Sequence, residues 1–395
     1  MKFGLFYELQ LPKPVDADWW PEDAERRVVM DAIEQIEFAD KLGFDYVFEV
    51  EHHFLEEYSH SAAPEVVLAA ASQRTKNIRL GHGIIQMPWR QNHPARVAER
   101  VATLDIVSGG RVEFGTGEGA TDIELGGFGT PRVDKKSMWE EATRECLRMM
   151  STTPYPGFQG RYLDMPARNV IPKPIQKPHP PVWVAASRKA TVQVAGRLGI
   201  ASLGLGFESA GELGLRVADY WDLVRDECMP IGAAINPAVT TVANLMCCKT
   251  EEESLAKGLP GAGFFAHSIG RVAAGFRPGE EHFNREFHAL RDRPQSPAAE
   301  PEDETTRTLI RAAQRGGFMG TPDFIRESVR EYEAAHLDAL IFIVQCGDRR
   351  HEDIMASLEL FAKEVMPEFK ERHHLQQAWR AQQLERVDLL VNSSI

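Results

Sequence analysis

The sequence has no apolar run long enough to cross a membrane. A membrane-spanning helix needs about 20 consecutive apolar residues, and charged residues interrupt every apolar run well before that length. The first ten residues, MKFGLFYELQ, reach Glu8 too early for the apolar core of a signal peptide and suit a strand instead. We therefore expect a cytoplasmic protein.

Cysteine pairs and basic charge are also scarce. The five cysteines include no C-x-x-C pair, so the sequence favours reduced, buried thiols over a metal or redox site. The formal net charge of −13 argues against a nucleic-acid partner, which requires a basic face, and against binding to an anionic membrane. The overall composition, 43% hydrophobic and 26% charged, is that of a globular protein.

Short apolar segments alternate with longer segments of helical periodicity. Residues 2–7 and 46–50 suit strands, and residues 24–42 between them carry apolar side chains at helical spacing. The same alternation continues to a last strand at about 340–344 and its following helix. Eight strands that alternate with helices predict a (β/α)8 barrel of the TIM type, with parallel strands and right-handed crossovers.

We expect one barrel over residues 1–366 and a charged helical tail over 367–395. The tail is interpreted either as a solvated extension or as an arm of a homodimer. Stretches with many glycines and prolines are interpreted as insertions at the C-terminal face of the strands, at about 119–135, 151–180 and 250–320. In the last insertion we expect an irregular lid over 250–292 and a mobile segment over 293–304.

The second predicted strand ends in a cluster of ionisable side chains. Within FDYVFEVEHHF, the residues Glu51, His52 and His53 follow directly after the apolar part. The active site of such a barrel lies at the C-terminal ends of its strands, so we expect His52 to face it. A hydrogen-bonded core histidine and a metal ligand are the alternatives. The other strand ends offer no further histidine, which disfavours the metal.

Small residues follow the third and fourth predicted strands. They are Gly83, which precedes Ile84 after the third strand, and Gly117 and Gly119, which flank Glu118 after the fourth. Little side-chain bulk at neighbouring strand ends leaves room for a flat ring. We therefore expect these positions to contact the ring of a cofactor.

The fifth predicted strand is followed by groups that suit an anion. Ser187 and Arg188 open a helix, and Thr191 lies one turn further on. Backbone N–H groups at a helix N-terminus, hydroxyl groups and a guanidinium together bind phosphate. An ordinary helix cap is the alternative interpretation of Ser187. A flat ring combined with a phosphate indicates flavin mononucleotide (FMN).

The sequence resembles the bacterial luciferase-like flavin-dependent monooxygenase family. The order and spacing of its motifs agree over roughly residues 1–250, and more loosely over 320–366. The matching segments are EHHF at 51–54, LGHGIIQMP at 80–88, HPARVAERVATLDIVSGGRVEFGTGEG at 93–119 and HPPVWVAAS at 179–187.

The resemblance implies a barrel that binds reduced FMN without a metal. The isoalloxazine would lie at Gly83–Ile84, at or beside a non-prolyl cis peptide, and Ser187, Arg188 and Thr191 would hold the phosphate. His52 would be the general acid/base, oriented by Glu51. The luciferase subunit has an arginine where this chain has Glu118. A carboxylate there would weaken phosphate binding unless Arg188 supplies the charge.

The function that the resemblance implies is a two-component monooxygenase. A separate reductase would supply reduced FMN, since the sequence shows no convincing nicotinamide site. Oxygen would form a flavin hydroperoxide, which oxygenates an apolar organic molecule beneath the 250–292 segment. The alternatives are a deazaflavin-dependent hydride-transfer enzyme on the same barrel, a flavin-binding protein without catalysis, and a metal-dependent hydrolase centred on His52 and His53.

Overall fold

A computed structural model describes residues 1–205, 208–277, 279, 282–291 and 317–391. Eight parallel strands follow one another around a closed barrel, in which the first strand pairs with the last. The predicted TIM-type barrel is thereby confirmed. The strands are β1 (Lys2–Tyr7), β2 (Tyr46–Glu49), β3 (Arg79–His82), β4 (Val112–Gly117), β5 (Val182–Ala185), β6 (Ala201–Leu205), β7 (Val239–Cys247) and β8 (Ala339–Ile343).

Short strands add to the barrel at its edges. Ile85–Gln86 continues from β3 and pairs with β4, and Gly317–Gly320 pairs with β7. Phe158–Gln159 and Asp164–Met165 form a separate antiparallel pair within the insertion at 151–180. The insertions therefore carry local structure of their own while the closed barrel remains intact.

Helices surround the barrel, and their ends carry the expected signals. Pro64, Pro94 and Pro322 each open a helix at a position where the missing N–H of proline costs no hydrogen bond. Gly43 ends α1 with a φ of 88°. The helices are α1 (Ala24–Leu42), α2 (Pro64–Ser72), α3 (Pro94–Val107), α4 (Asp122–Gly127), α5 (Lys135–Ser151), α6 (Lys189–Leu198), α7 (Ala210–Asp226), α8 (Glu251–Ala274), α9 (Phe283–Arg291), α10 (Pro322–Ala334), α11 (His351–Glu364), α12 (Met366–Glu371) and α13 (His373–Leu384).

Aromatic side chains fill the barrel interior. The rings of Phe48 and Trp183 meet edge to face at a centroid distance of 5.0 Å. Gly81 on the neighbouring strand makes room for this pair, because a Cβ atom there would lie 2.2 Å from the ring of Phe48. The lower barrel is thus a packed core, and a ligand has access only at the mouth.

The prediction that the 250–292 segment is irregular was wrong, whereas its role as a lid stays a prediction. Most of this segment is helical, in α8 and α9, and α8 continues through Pro260. Phe264, Phe265 and Val272 are buried, and they give α8 an apolar face toward the barrel. The segment 293–304, predicted to be mobile, lies outside the described residues.

The C-terminal tail packs against its own barrel. Trp379 stacks on His336 with a centroid distance of 4.2 Å, and it meets Trp221 edge to face. Arg380 donates to Asp338 at 2.6 Å in a buried ion pair. The tail helices α12 and α13 therefore cover the barrel, and the interpretation as a solvated extension was wrong. Within the part of the chain that is described, no helix is long and apolar enough to cross a membrane.

Candidate active site

His52 lies at the barrel mouth between two carboxylates. It is the third residue after the end of β2, and its backbone N–H donates to the carbonyl of Ser61 at 2.8 Å. On one edge of the ring, Nδ1 is 3.0 Å from Oε1 of Glu124. On the other edge, Nε2 is 3.5 Å from Oε2 of Glu8. The side chain of His52 is 19% exposed, so the ring remains accessible from the mouth.

Glu124 comes from α4, in the insertion after β4, and is fully buried. Its Oε1 accepts hydrogen bonds from the backbone N–H of His53 at 3.0 Å and from the amide of Gln86 at 2.6 Å. Its Oε2 accepts from the hydroxyl of Thr121 at 2.7 Å. Burial alone would raise the pKa of Glu124, but His52 and these donors outweigh it and lower that pKa. Glu124 is therefore held as a carboxylate.

Glu8 directly follows β1 and is also buried. The hydroxyl of Tyr58 donates to Oε1 at 3.0 Å, whereas Oε2 has no hydrogen-bond partner among the described residues. Burial raises the pKa of Glu8, and the nearby His52 offsets this only in part. The unpaired Oε2 is the atom that faces the imidazole.

The two carboxylates determine the charge of His52. Burial opposes protonation of the ring, but Glu8 and then Glu124 outweigh it and raise the pKa of His52 to about 9. An isolated imidazole titrates near neutral pH, so the two carboxylates move the pKa of His52 well above its ordinary value. At pH 7 the ring is an imidazolium, which donates protons and hydrogen bonds.

Glu51 does not orient His52 by direct contact. Its carboxylate accepts from the backbone N–H of Gln86 at 2.6 Å and from the amide of Asn92 at 2.7 Å, and it lies 3.2 Å from Nε2 of His53. Glu51 therefore ties the loop after β2 to the segment after β3. The carboxylate in direct contact with the His52 ring at Nδ1 is that of Glu124, and an orienting role for Glu51 stays a prediction.

The space beside the strand-end glycines is already filled by protein side chains. A Cβ on Gly117 would lie 2.5 Å from Cδ1 of Ile84, and a Cβ on Gly83 would lie 3.0 Å from the ring of Phe6. The glycines thus accommodate packing within the mouth, and the contact of these positions with a flat ring stays a prediction. Ile84 itself is half-buried and offers its apolar surface at the mouth.

The cis peptide bonds of the described residues all precede proline, and none lies at Gly83–Ile84. The expected non-prolyl cis bond at this position is therefore not found. Gly119 has a φ of +75°, and a Cβ there would lie 2.9 Å from Oε1 of Gln86. Its left-handed backbone lets the chain turn from β4 into the insertion that carries Glu124.

Glu118 is paired with a cation from the same insertion. Lys135, at the start of α5, lies 3.0 Å from Oε1 of Glu118 and donates to the carbonyl of Gly119 at 2.6 Å. This pairing compensates the negative charge that stands where the luciferase subunit has an arginine. The predicted conflict between Glu118 and a phosphate is thereby reduced.

The three residues that were predicted to bind phosphate lie together at the N-terminus of α6. Arg188 is the residue that precedes the helix, and no side chain in the described part of the chain caps it. Ser187 and Arg188 are exposed, and Thr191 is half-buried one turn on. A small cavity lies beside this end, lined in part by Ala186 and by Ser202, whose buried hydroxyl has no described partner. Free N–H groups, hydroxyls and an arginine fit an anion.

Reasoning from the sequence missed Glu124 altogether. The pattern Thr121-x-x-Glu124 is a capping-box signature and could have indicated a helix start within the insertion. The structure shows that start, with the Thr121 hydroxyl accepting from the Glu124 N–H at 3.1 Å. No local pattern reveals that the carboxylate reaches back to His52, 72 positions earlier.

Comparison with known proteins places this geometry in context. A family model described as luciferase-like monooxygenase matches residues 1–339. The chain is 25% identical to limonene 1,2-monooxygenase of Rhodococcus erythropolis, over 89% of this chain and 85% of the relative. It is 24% identical to the oxygenase component of flavin-dependent trigonelline monooxygenase of Acinetobacter baylyi, over 94% and 96%.

Other relatives match only in part. The chain spans about half the length (53%) of two uncharacterized proteins of Sinorhizobium fredii, at 32% and 30% identity. F420-dependent glucose-6-phosphate dehydrogenase of Amycolatopsis mediterranei is 28% identical over 47% of this chain and 57% of its own length.

Solved structures share the fold. The monooxygenase RslO1 of Streptomyces bottropensis superposes with a TM-score of 0.75 at 22% identity, over 93% of this chain and 100% of that one. The oxygenating constituent of 3,6-diketocamphane monooxygenase of Pseudomonas putida, in complex with FMN, gives 0.68 at 19% identity, over 93% and 98%.

Proposed function

The chain belongs to the luciferase-like monooxygenase family, and on that premise we propose that it is the oxygenase component of a two-component monooxygenase. Reduced FMN from a separate reductase and molecular oxygen are its co-substrates, and an apolar organic molecule is its substrate. Two relatives that align along most of the chain support this, since both are named monooxygenases and one is named an oxygenase component.

The observation that carries the proposal is the placement of His52. An imidazolium held between Glu8 and Glu124 at the strand ends can protonate a group at the barrel mouth. When bound, reduced flavin would supply the electrons that activate oxygen. Ser187, Arg188 and Thr191 would hold its phosphate, and Ile84 would offer its apolar surface to the ring.

The substrate side of the proposed site is apolar. Phe264 and Phe265 of α8 are buried in one cluster with the interior aromatic residues, and Ile123 and Ile269 pack against this cluster while remaining partly exposed. Such side chains exclude water from the space near His52. Exclusion of water favours oxygenation of substrate over loss of the activated oxygen.

Rapid mixing of the protein with reduced FMN and oxygen tests the proposal. We expect tight binding of reduced FMN, and a transient absorbance that precedes that of oxidised FMN and lasts longer than in free solution. If the protein binds FMN without altering its reoxidation, it is a flavin-binding protein and not an oxygenase.

A deazaflavin-dependent oxidoreductase is the second candidate, because F420-dependent enzymes are among the relatives. Such an enzyme needs no oxygen. Anaerobic mixing with oxidised F420 and a panel of alcohols separates the two candidates: reduction of F420 would support the second and overturn the first.

We also propose a homodimer, which light scattering during gel filtration checks directly.

A further inference from the structure

We infer that Glu124 is the positioning residue of the site: it fixes the Nδ1 edge of His52, so that all proton exchange with a bound ligand takes place at Nε2, the edge shared with Glu8. The inference rests on the proposed function for the identity of the ligand. The array itself is a property of the chain and is tested without any ligand.

The orientation of the Glu124 carboxylate is fixed by hydrogen bonds to both of its oxygens. Oε1 accepts from His52, from the N–H of His53 and from Gln86, while Oε2 is held by Thr121. These donors come from the segments after β2 and β3 and from the insertion itself. Rotation of the carboxylate would break several buried hydrogen bonds at once, which is costly.

A carboxylate at Nδ1 also fixes the tautomer of the ring. Because Glu124 only accepts hydrogen bonds, the proton on Nδ1 stays in place in both charge states of His52. Nε2 is then the nitrogen that gains or loses a proton. Its distance of 3.5 Å to Oε2 of Glu8 is at the outer limit of a hydrogen bond, so a ligand atom can replace that contact.

In the proposed cycle, Nε2 of His52 gives up one proton and later regains one. Nε2–H donates its proton to a basic oxygen of the ligand, and the ring becomes a neutral imidazole that keeps its Nδ1–H on Glu124. After product release, Nε2 recovers a proton from water that enters the mouth. Glu8 stabilises the imidazolium before transfer, so the ring is recharged for the next cycle.

The groups that face the ring are acidic or neutral. Glu8 follows β1, Glu51 lies on the same segment as His52, and Glu124 comes from α4. Tyr58, from the short 3₁₀ helix at Glu56–Tyr58, meets the ring edge to face at 5.6 Å. His53 lies against Glu51. The carboxylates therefore act together in keeping His52 charged.

Nuclear magnetic resonance of the flavin-free protein with labelled histidine tests the inference. In the wild type we expect the Nδ1–H tautomer and a high titration midpoint for His52. In Glu124→Gln the midpoint falls by about one unit or more and the tautomer becomes mixed, whereas Glu124→Asp restores the wild-type tautomer. Glu359→Gln, an exposed carboxylate on α11, is the matched control and leaves both unchanged.

A wild-type tautomer and midpoint in folded Glu124→Gln would overturn the inference. If that variant does not fold, Glu124→Asp and Glu8→Gln decide it: the midpoint of His52 must fall in Glu8→Gln while its tautomer stays Nδ1–H, and any other result overturns it. A protein that shows the predicted tautomer but binds no FMN refutes the proposed function alone. With the active enzyme, Glu124→Gln should lower kcat about tenfold to 100-fold and leave KM within about threefold.

Discussion

Lys135 forms an ion pair with Glu118 at 3.0 Å, where β4 leads into the insertion that carries Glu124. The carboxylate is 38% exposed and its partner 14%. The pair explains how an acidic side chain is tolerated where the luciferase subunit has an arginine. In the proposed flavin site, the charge balance at Glu118 would therefore depend on Lys135.

We predict that Lys135→Met weakens the binding of reduced FMN about tenfold, because Glu118 then faces the phosphate without compensation. The double variant Lys135→Met with Glu118→Gln should regain wild-type affinity within about threefold. Titration of the anaerobic protein with reduced FMN, followed by fluorescence, measures both. Equal affinities for the wild type and Lys135→Met would mean that the phosphate lies far from this pair.

Loss of His52 should affect turnover far more than flavin binding. We expect His52→Ala to bind reduced FMN within about tenfold of the wild type, because the residues proposed to bind phosphate at the start of α6 remain. Its turnover should fall about 100-fold, because the variant lacks the proton donor. His53→Ala is the matched control, since His53 lies against Glu51 and away from the proposed proton path. Unchanged turnover in His52→Ala would remove this residue from the mechanism.

The sequence predicts the barrel well because its signals are local. The apolar runs of β1 and β2 and the helical spacing of α1 depend only on neighbouring residues, and the structure places all three as expected. The approach of Glu124 to His52 depends on how an insertion folds back over the mouth, which no periodicity encodes. The same holds for Ile84, whose side chain occupies the space beside Gly117.

The prediction of an irregular segment over 250–292 failed for a related reason. Pro260 and several glycines indicate a loop by local rules, yet burial of the apolar face of α8 against the barrel mouth overrides those preferences. Tertiary packing, rather than local preference, determines this part of the structure.

Glu49 on β2 should make stability depend on pH. It is buried, with Oε1 accepting from Ser61 at 2.8 Å, and burial raises its pKa from 4.5 to about 8. The contribution of such a group is fully present below its unfolded pKa and is lost as pH rises through the folded value. Glu49 therefore favours folding at pH 4 to 5 and loses that contribution by about pH 8.

Glu49→Gln should accordingly gain stability relative to the wild type by about 2 to 4 kcal/mol between pH 5 and pH 9. Urea unfolding at both pH values measures the difference. Glu359→Gln, whose carboxylate is exposed, should show no such change. A constant difference between Glu49→Gln and the wild type across this range would mean that Glu49 is ionised in the folded protein.

Arg380 should be the tail residue on which barrel stability depends most. Its guanidinium donates to Asp338 at 2.6 Å, and both side chains are buried where α13 meets the segment before β8. Arg380→Met leaves the carboxylate of Asp338 buried without its cation, which typically costs about 3 kcal/mol or more. Arg386→Met, at an exposed position in the same tail, should change the free energy of unfolding by less than about 0.5 kcal/mol.

The double variant Arg380→Met with Asp338→Asn separates the ion pair from packing. Removal of both charges should recover more than half of the lost stability, because the main cost of the single variant is an unpaired buried charge. If the double variant is as unstable as the single one, the stacking of Trp379 on His336 and the packing of α13 fix the tail, and the ion pair contributes little.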